Sequence, residues 1–173
     1  MYKPLMIGLI LFGACNSPAN EPDKAKEQPV MSPAEECEWI ASMLTDANTN
    51  ATLITIGIEN LQSQEVKQVA LTVQKQQDTL LLKLNNLYQV NHCNVEKGNN
   101  TKLPEKMIEI EPVKFDKSWS LKMSDRYTIT EQQYQKLLQS NTHNDSLRAV
   151  AMESLTLIRD ISQRLTALKK TLQ

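Results

Sequence analysis

Few residues in this chain have the types and spacing to do chemistry. Its 173 residues hold three cysteines and two histidines. Metal-binding residue types adjoin at Cys37–Glu38 and again at His92–Cys93. Two thiols, an imidazole and a carboxylate make a zinc donor set, although zinc ligands usually come at repeated close spacings, which these four lack. The same two thiols could instead join as a disulfide, or sit apart as small hydrophobic side chains. Nucleophilic catalysis finds less support. Serines are plentiful, but His92 and His143 both fall near predicted helix ends, which argues against a Ser-His-Asp triad. Neither a G-x-S-x-G nucleophile turn nor a Gly-rich phosphate loop occurs. Glu35–Glu36 and Glu109/Glu111 read as a capping turn and a solvated loop. The seven methionines are scattered, so they suit core filling better than copper binding. These residues predict no enzyme and no cofactor.

The elements that must position these residues are helices. Ser32–Pro33–Ala34–Glu35 is a capping box with Pro at the first helical position. Apolar positions follow at Ile40, Leu44, Ala47, Ala51, Ile54, Ile58 and Leu61, spaced as a heptad seam. Gln62–Ser63–Gln64 marks a tight turn. A second seam runs through Val66, Ala70, Val73, Gln77, Leu80, Leu84 and Leu87, and fades near Asn91. Its one polar member, Gln77, is expected to make a buried hydrogen bond that sets helix register. Each helix is about 28 residues, or roughly 42 Å long. Residues 95–114 contain Pro104 and Pro112, with a short helix expected from Leu103 to Ile110. Phe115–Asp116 is expected to open the third helix, with Asp116 as N-cap and Trp119, Met123, Tyr127, Thr130, Tyr134 and Leu137 along one side. The fourth follows Asn144–Asp145 with Leu147, Ala151, Ser154, Ile158, Ile161, Leu165, Leu168 and Leu172. This pattern predicts an all-α fold, an antiparallel four-helix bundle of two hairpins joined by a long connection.

Composition fits one domain. Apolar residues make up 40%, and 19 basic residues face 20 acidic ones. That balance offers no basic stripe for nucleic acid. The amino-terminal end carries an address. Lys3 precedes an apolar run from Leu5 to Phe12, too short to span a bilayer core of about 30 Å but right for a signal-peptide core. The run ends in Phe12–Gly13–Ala14–Cys15, which resembles the lipobox of bacterial lipoproteins, with Phe12 in place of the usual Leu. The resemblance implies cleavage after residue 14 and a diacylglyceryl group on Cys15, and Asn16 behind it implies the outer membrane. Loss of Lys3 with the leader moves the formal charge from −1 to −2. Residues 15–31 read as a flexible tether rich in Pro, Asn, Glu and Lys, and residues 32–173 as the helical domain.

With Cys15 spent on lipid, Cys37 and Cys93 remain. They stand at nearly equal distances on either side of the turn at Ser63, so an antiparallel hairpin brings them to one end. In an oxidising compartment they are expected to pair. Closing a loop of that size contributes about 4 kcal/mol in the chain-entropy treatment.

Residues 48–173 resemble a family of bacterial extracytoplasmic ferritin-like domains of unknown function. The resemblance rests on Ser63–Gln64–Glu65–Val66–Lys67 with Ala70, on Phe115–Asp116–Lys117–Ser118–Trp119, and on Asn144–Asp145–Ser146–Leu147 with Ala151 and Glu153–Ser154–Leu155. Members typically carry a Glu in helix one, an Asp–His pair in helix two and a His in the last helix. Those positions fall here on Asn50, on Gln76 and Gln77, and on Ile161, and the Pro before the last His becomes Thr156. The resemblance therefore implies a ferritin-like bundle whose ligand positions are vacated, with no metal. Inspection agrees, because neither histidine completes a Glu-x-x-His pair.

Together these readings lead us to expect a non-enzymatic envelope protein. It would be held at the outer membrane by lipid, face the periplasm, and bind or support another envelope component. The alternative is a metal or small-ligand carrier with altered ligands. A weaker one is a chaperone-like or oligomerising surface.

Overall fold

The computed structural model describes residues 29–94 and 111–172. Cys15, the expected leader, most of the tether and the short helix expected at 103–110 lie outside the described residues. Within them the chain is all-helical: α1 (Pro33–Asn60), α2 (Gln64–Val90), α3 (Pro112–Gln139) and α4 (Asp145–Thr171). α1 packs against α2 and α3, and α4 against the same two, so α1 and α4 stand diagonally across one hydrophobic core.

Caps fix most helix ends where the sequence puts them. Ser32 Oγ accepts from Glu35 N–H at 3.3 Å, and the Glu35 carboxylate accepts from Ser32 N–H at 2.7 Å. The backbone and hydroxyl of Ser32 hold the Glu35 carboxyl below its ordinary value. Ser63 opens α2 and Asn144 opens α4 in the same way, through Val66 N–H and Leu147 N–H. At the far end of α2, His92 N–H donates to Gln89 C=O and Cys93 N–H to Tyr88 C=O, at 3.1 and 3.2 Å. This is a Schellman closure. It needs a left-handed residue at its hinge, and His92 takes that place with φ 49°.

The seams of α2 and α3 are buried as spaced, and in α4 all but half-buried Leu172 are buried. In α1 the outcome differs. Asn50, Leu53 and Gly57 are buried, whereas Ala51 and Ile58 are only half-buried. The seam steps by three from Ala47 to Asn50, so the face of α1 turned inward is rotated from the expected one. A polar residue and a glycine lie on it, and neither type announces itself by hydropathy.

The start of α3 also differs from expectation. The helix begins at Pro112, four residues before Asp116, and its N-cap Glu111 makes no side-chain cap. Asp116 is therefore not a cap of its own helix. Its two carboxylate oxygens accept from Gln62 N–H at 2.9 Å and Ser63 N–H at 2.7 Å, which closes the α1–α2 turn from outside. One turn on, Trp119 packs against α1 and donates from Nε1 to the Leu53 carbonyl at 3.0 Å. Gly57 makes that approach possible. A Cβ there would fall 2.5 Å from Trp119 Cε2 and 2.9 Å from Cδ1, inside van der Waals contact.

Candidate functional site

Three places draw polar chemistry together. The first is a layer midway along the four helices, built where Gln77 interrupts the α2 seam. Gln77 is 0% exposed, and a primary amide sealed from water needs partners on both atoms. Its Nε2 donates to the Ala47 carbonyl of α1 at 2.6 Å, and its Oε1 accepts from the Tyr127 hydroxyl of α3 at 2.6 Å. Next to Tyr127, Arg126 donates from Nε to Asn50 Oδ1 at 2.5 Å. Next to Gln77, Gln76 donates to Asp160 of α4, whose carboxyl is held below its ordinary value by Arg164 first and then by Gln76. Ile161, beside Asp160, is fully buried and apolar.

So Asn50, Gln76, Gln77 and Ile161 share one cross-section of the molecule. Asn50 is tied to Arg126, Gln76 to Asp160 and Gln77 to Tyr127, which leaves Ile161 as packing. Burial pushes the Tyr127 phenol far above its ordinary value, so at neutral pH it is a neutral hydrogen-bond donor. Among the described residues no three His, Cys, Asp or Glu side chains converge in a way that could hold a metal ion. The layer links all four helices through side-chain hydrogen bonds.

Four buried side-chain atoms are under-satisfied, the first two in this layer and the others two turns away along α3 and α4. Asn50 Nδ2, Gln76 Oε1, Tyr134 Oη and Ser154 Oγ are buried without a hydrogen-bond partner. Tyr134 and Ser154 face each other between α3 and α4 in a geometry that falls short of a proper bond. Burial raises the Tyr134 phenol well above its ordinary value, and Ser154 offsets that only partly.

The second place is the end where the chain enters α1. Cys37 and Cys93 are joined in a disulfide, with their Cα atoms 5.3 Å apart. Pairing consumes both thiols, so the four-residue metal set with Glu38 and His92 is not assembled. Around the bond Glu36 accepts from Thr142 and Asn144, and Asn144 donates to Asn91 Oδ1 at 2.6 Å. Met31 N–H donates to the Asn141 carbonyl at 2.8 Å, which pins the incoming chain to the α3–α4 turn.

The third place is on the surface. A groove of about 360 Å³ opens between α1 and α3 and is lined by Glu38, Trp39, Ser42, Gln133 and Lys136. Trp39 and Gln133 are half-buried, and the other three are exposed. Gln133 is oriented by Asp46, to which its Nε2 donates at 3.2 Å.

No protein family, curated protein or solved structure matches this chain. What it does must be read from its own residues. Sequence reasoning named Asn50, Gln76, Gln77, Cys37 and Cys93, and missed the partners Arg126 and Tyr127 and the groove around Trp39. A polar seam residue does signal that a partner exists at the same level. It does not say which helix supplies it. Trp39 carried a signal too, as a large aromatic one step off the α1 seam with a carboxylate beside it.

Proposed function

We propose that this chain is a non-enzymatic, lipid-anchored protein of the bacterial envelope whose helical domain binds or supports another envelope component. The Cys37–Cys93 disulfide carries the export half of that reading, because such bonds persist in oxidising compartments and are rare in the cytosol. The anchor half is supported by the Phe12–Gly13–Ala14–Cys15 ending of the apolar run, and Asn16 supports the outer membrane as the destination. Two or three acyl chains anchor stably where one holds only marginally. The reading without a catalytic role draws support from the polar layer, where Asn50, Gln76 and Gln77 each commit a side-chain atom to an internal hydrogen bond.

We further infer that the helices form an antiparallel, ferritin-like bundle, as the resemblance implies. Support comes from the ends. The disulfide ties the start of α1 to the exit of α2, while Asp116, early in α3, grips the α1–α2 turn. The exit of α2 and the start of α3 then stand a helix length apart, about 40 Å, for the chain to bridge. Some twenty residues, able to extend to about 65 Å, can do so.

The decisive measurement is the mass of the full chain after expression in a bacterium, with envelope fractionation. The expected product lacks residues 1–14, carries acyl mass on Cys15 and sediments with outer membrane. Cys15→Ala should remove the acyl mass and release the protein from the membrane fraction. A wild-type chain that keeps its first residues, or is never acylated, overturns the reading.

A further inference from the structure

We propose that the groove between α1 and α3 binds a neutral saccharide, the chemistry of an envelope glycan. By naming the class of envelope component this rests on the reading above, although the groove chemistry itself does not depend on the anchor.

The lining decides the class. A pyranose has a face of C–H groups and a rim of hydroxyls. It therefore needs an apolar plane beneath it and donors and acceptors around it. Trp39 lines the groove, half-buried against the core, and is the one aromatic surface there. Around it stand a carboxylate (Glu38), a hydroxyl (Ser42), an amide (Gln133) and an ammonium (Lys136). Gln133 is already held by Asp46, so less ordering remains on binding.

Charge argues against other occupants. The lining holds one acidic and one basic side chain, which favours neither an anion nor a cation. On the groove's own lining Lys136 is the one basic side chain and Glu38 faces it, so a phosphate polymer or an acidic headgroup would meet no net positive charge there. A purely apolar segment would strand Glu38 and Lys136 against it without partners. The volume of about 360 Å³ lies at the small end of ligand sites, which run from about 300 to 1,000 Å³. The groove is open to solvent, which suits one or two sugar rings of a longer strand.

The two tryptophans make a direct test possible. Trp119 is 0% exposed, so an aqueous quencher reaches Trp39 and not Trp119. Full-length protein in detergent is titrated with a neutral tetramer of N-acetylglucosamine while acrylamide quenching of the indole emission is followed. The expected result is saturable protection at millimolar saccharide, lost as a signal in Trp39→Phe. Glu38→Ala and Lys136→Ala, both exposed and remote from the core, should each weaken protection roughly tenfold with unchanged helicity and melting temperature. Absence of protection, or equal protection in both alanine variants, overturns the proposal. So does protection by a charged peptide in place of the saccharide. Cys15 acylation is measured on the same preparation. An acylated protein that ignores the saccharide defeats the groove alone, and an unacylated one that binds it defeats the anchor alone.

Discussion

The end of the molecule where the chain enters α1 and the end where α1 turns into α2 are fastened by different means. At the first, a covalent bond joins Cys37 to Cys93, and Glu36, Thr142, Asn144 and Asn91 link three helices through buried or half-buried polar groups. At the second, Asp116 grips two backbone amides and Trp119 presses into the space left by Gly57. A covalent link limits how far the unfolded chain can spread and tolerates imperfect packing around it. A packed contact gains nothing until the fit is close, and then fails abruptly when the shape changes. The first end should therefore respond to redox conditions, and the second to single atoms.

Removing the bond is the strongest way to break this contrast. Cys37→Ala with Cys93→Ala should lower unfolding free energy by about 4 kcal/mol, read from urea denaturation, and reductant should lower the wild type to match. Gly57→Ala should follow at about 3 kcal/mol, in the upper part of the range for overpacking. Its thermal melt should fall, and Trp119 emission should shift red as the ring is displaced. If Gly57→Ala melts like wild type, the second end is not held by shape.

The middle layer sharpens the comparison further. Tyr127→Phe strips Gln77 Oε1 of its donor in a sealed site, at a cost of about 2 kcal/mol in urea denaturation. The same phenol predicts an alkaline limit. Tyr127 and Tyr134 both have folded pKa values raised by burial, so the folded state holds these protons more tightly than the unfolded chain. Their stabilisation is fully present below the unfolded value of about 10 and is lost as pH rises through and beyond it. Urea midpoints measured from about pH 8 to 11 should fall, and fall less steeply in Tyr127→Phe. The smallest effect is a gain. His92→Gly relieves the left-handed residue beside Cys93 and should add about 1 kcal/mol.

Much of this was legible in the sequence because it is local or periodic. Ser32, Ser63 and Asn144 cap where a short polar side chain precedes a seam, and the seam of α2 is buried residue for residue, Gln77 included. The Cys37–Cys93 bond followed from near-equal distances to one turn. What stayed hidden was contact between helices distant in sequence. Asp116 looks like an N-cap because Asp before a seam usually is one. Only the fold brings Gln62 and Ser63 to it. Gly57 reads as a weak spot in a helix until Trp119 is laid across it. Arg126 and Tyr127 sit side by side, yet one turns to Asn50 and the other to Gln77, a division that no spacing rule predicts.

The pinning of Met31 has a mechanical consequence. Any tension carried by the chain upstream is delivered to the first turn of α1 and to the α3–α4 turn together, through Met31 N–H and the Asn141 carbonyl. A few residues later the covalent bond hands the load on to α2. α1 then cannot peel away alone. A tug must therefore work against the buried seams of α1 and α2 together.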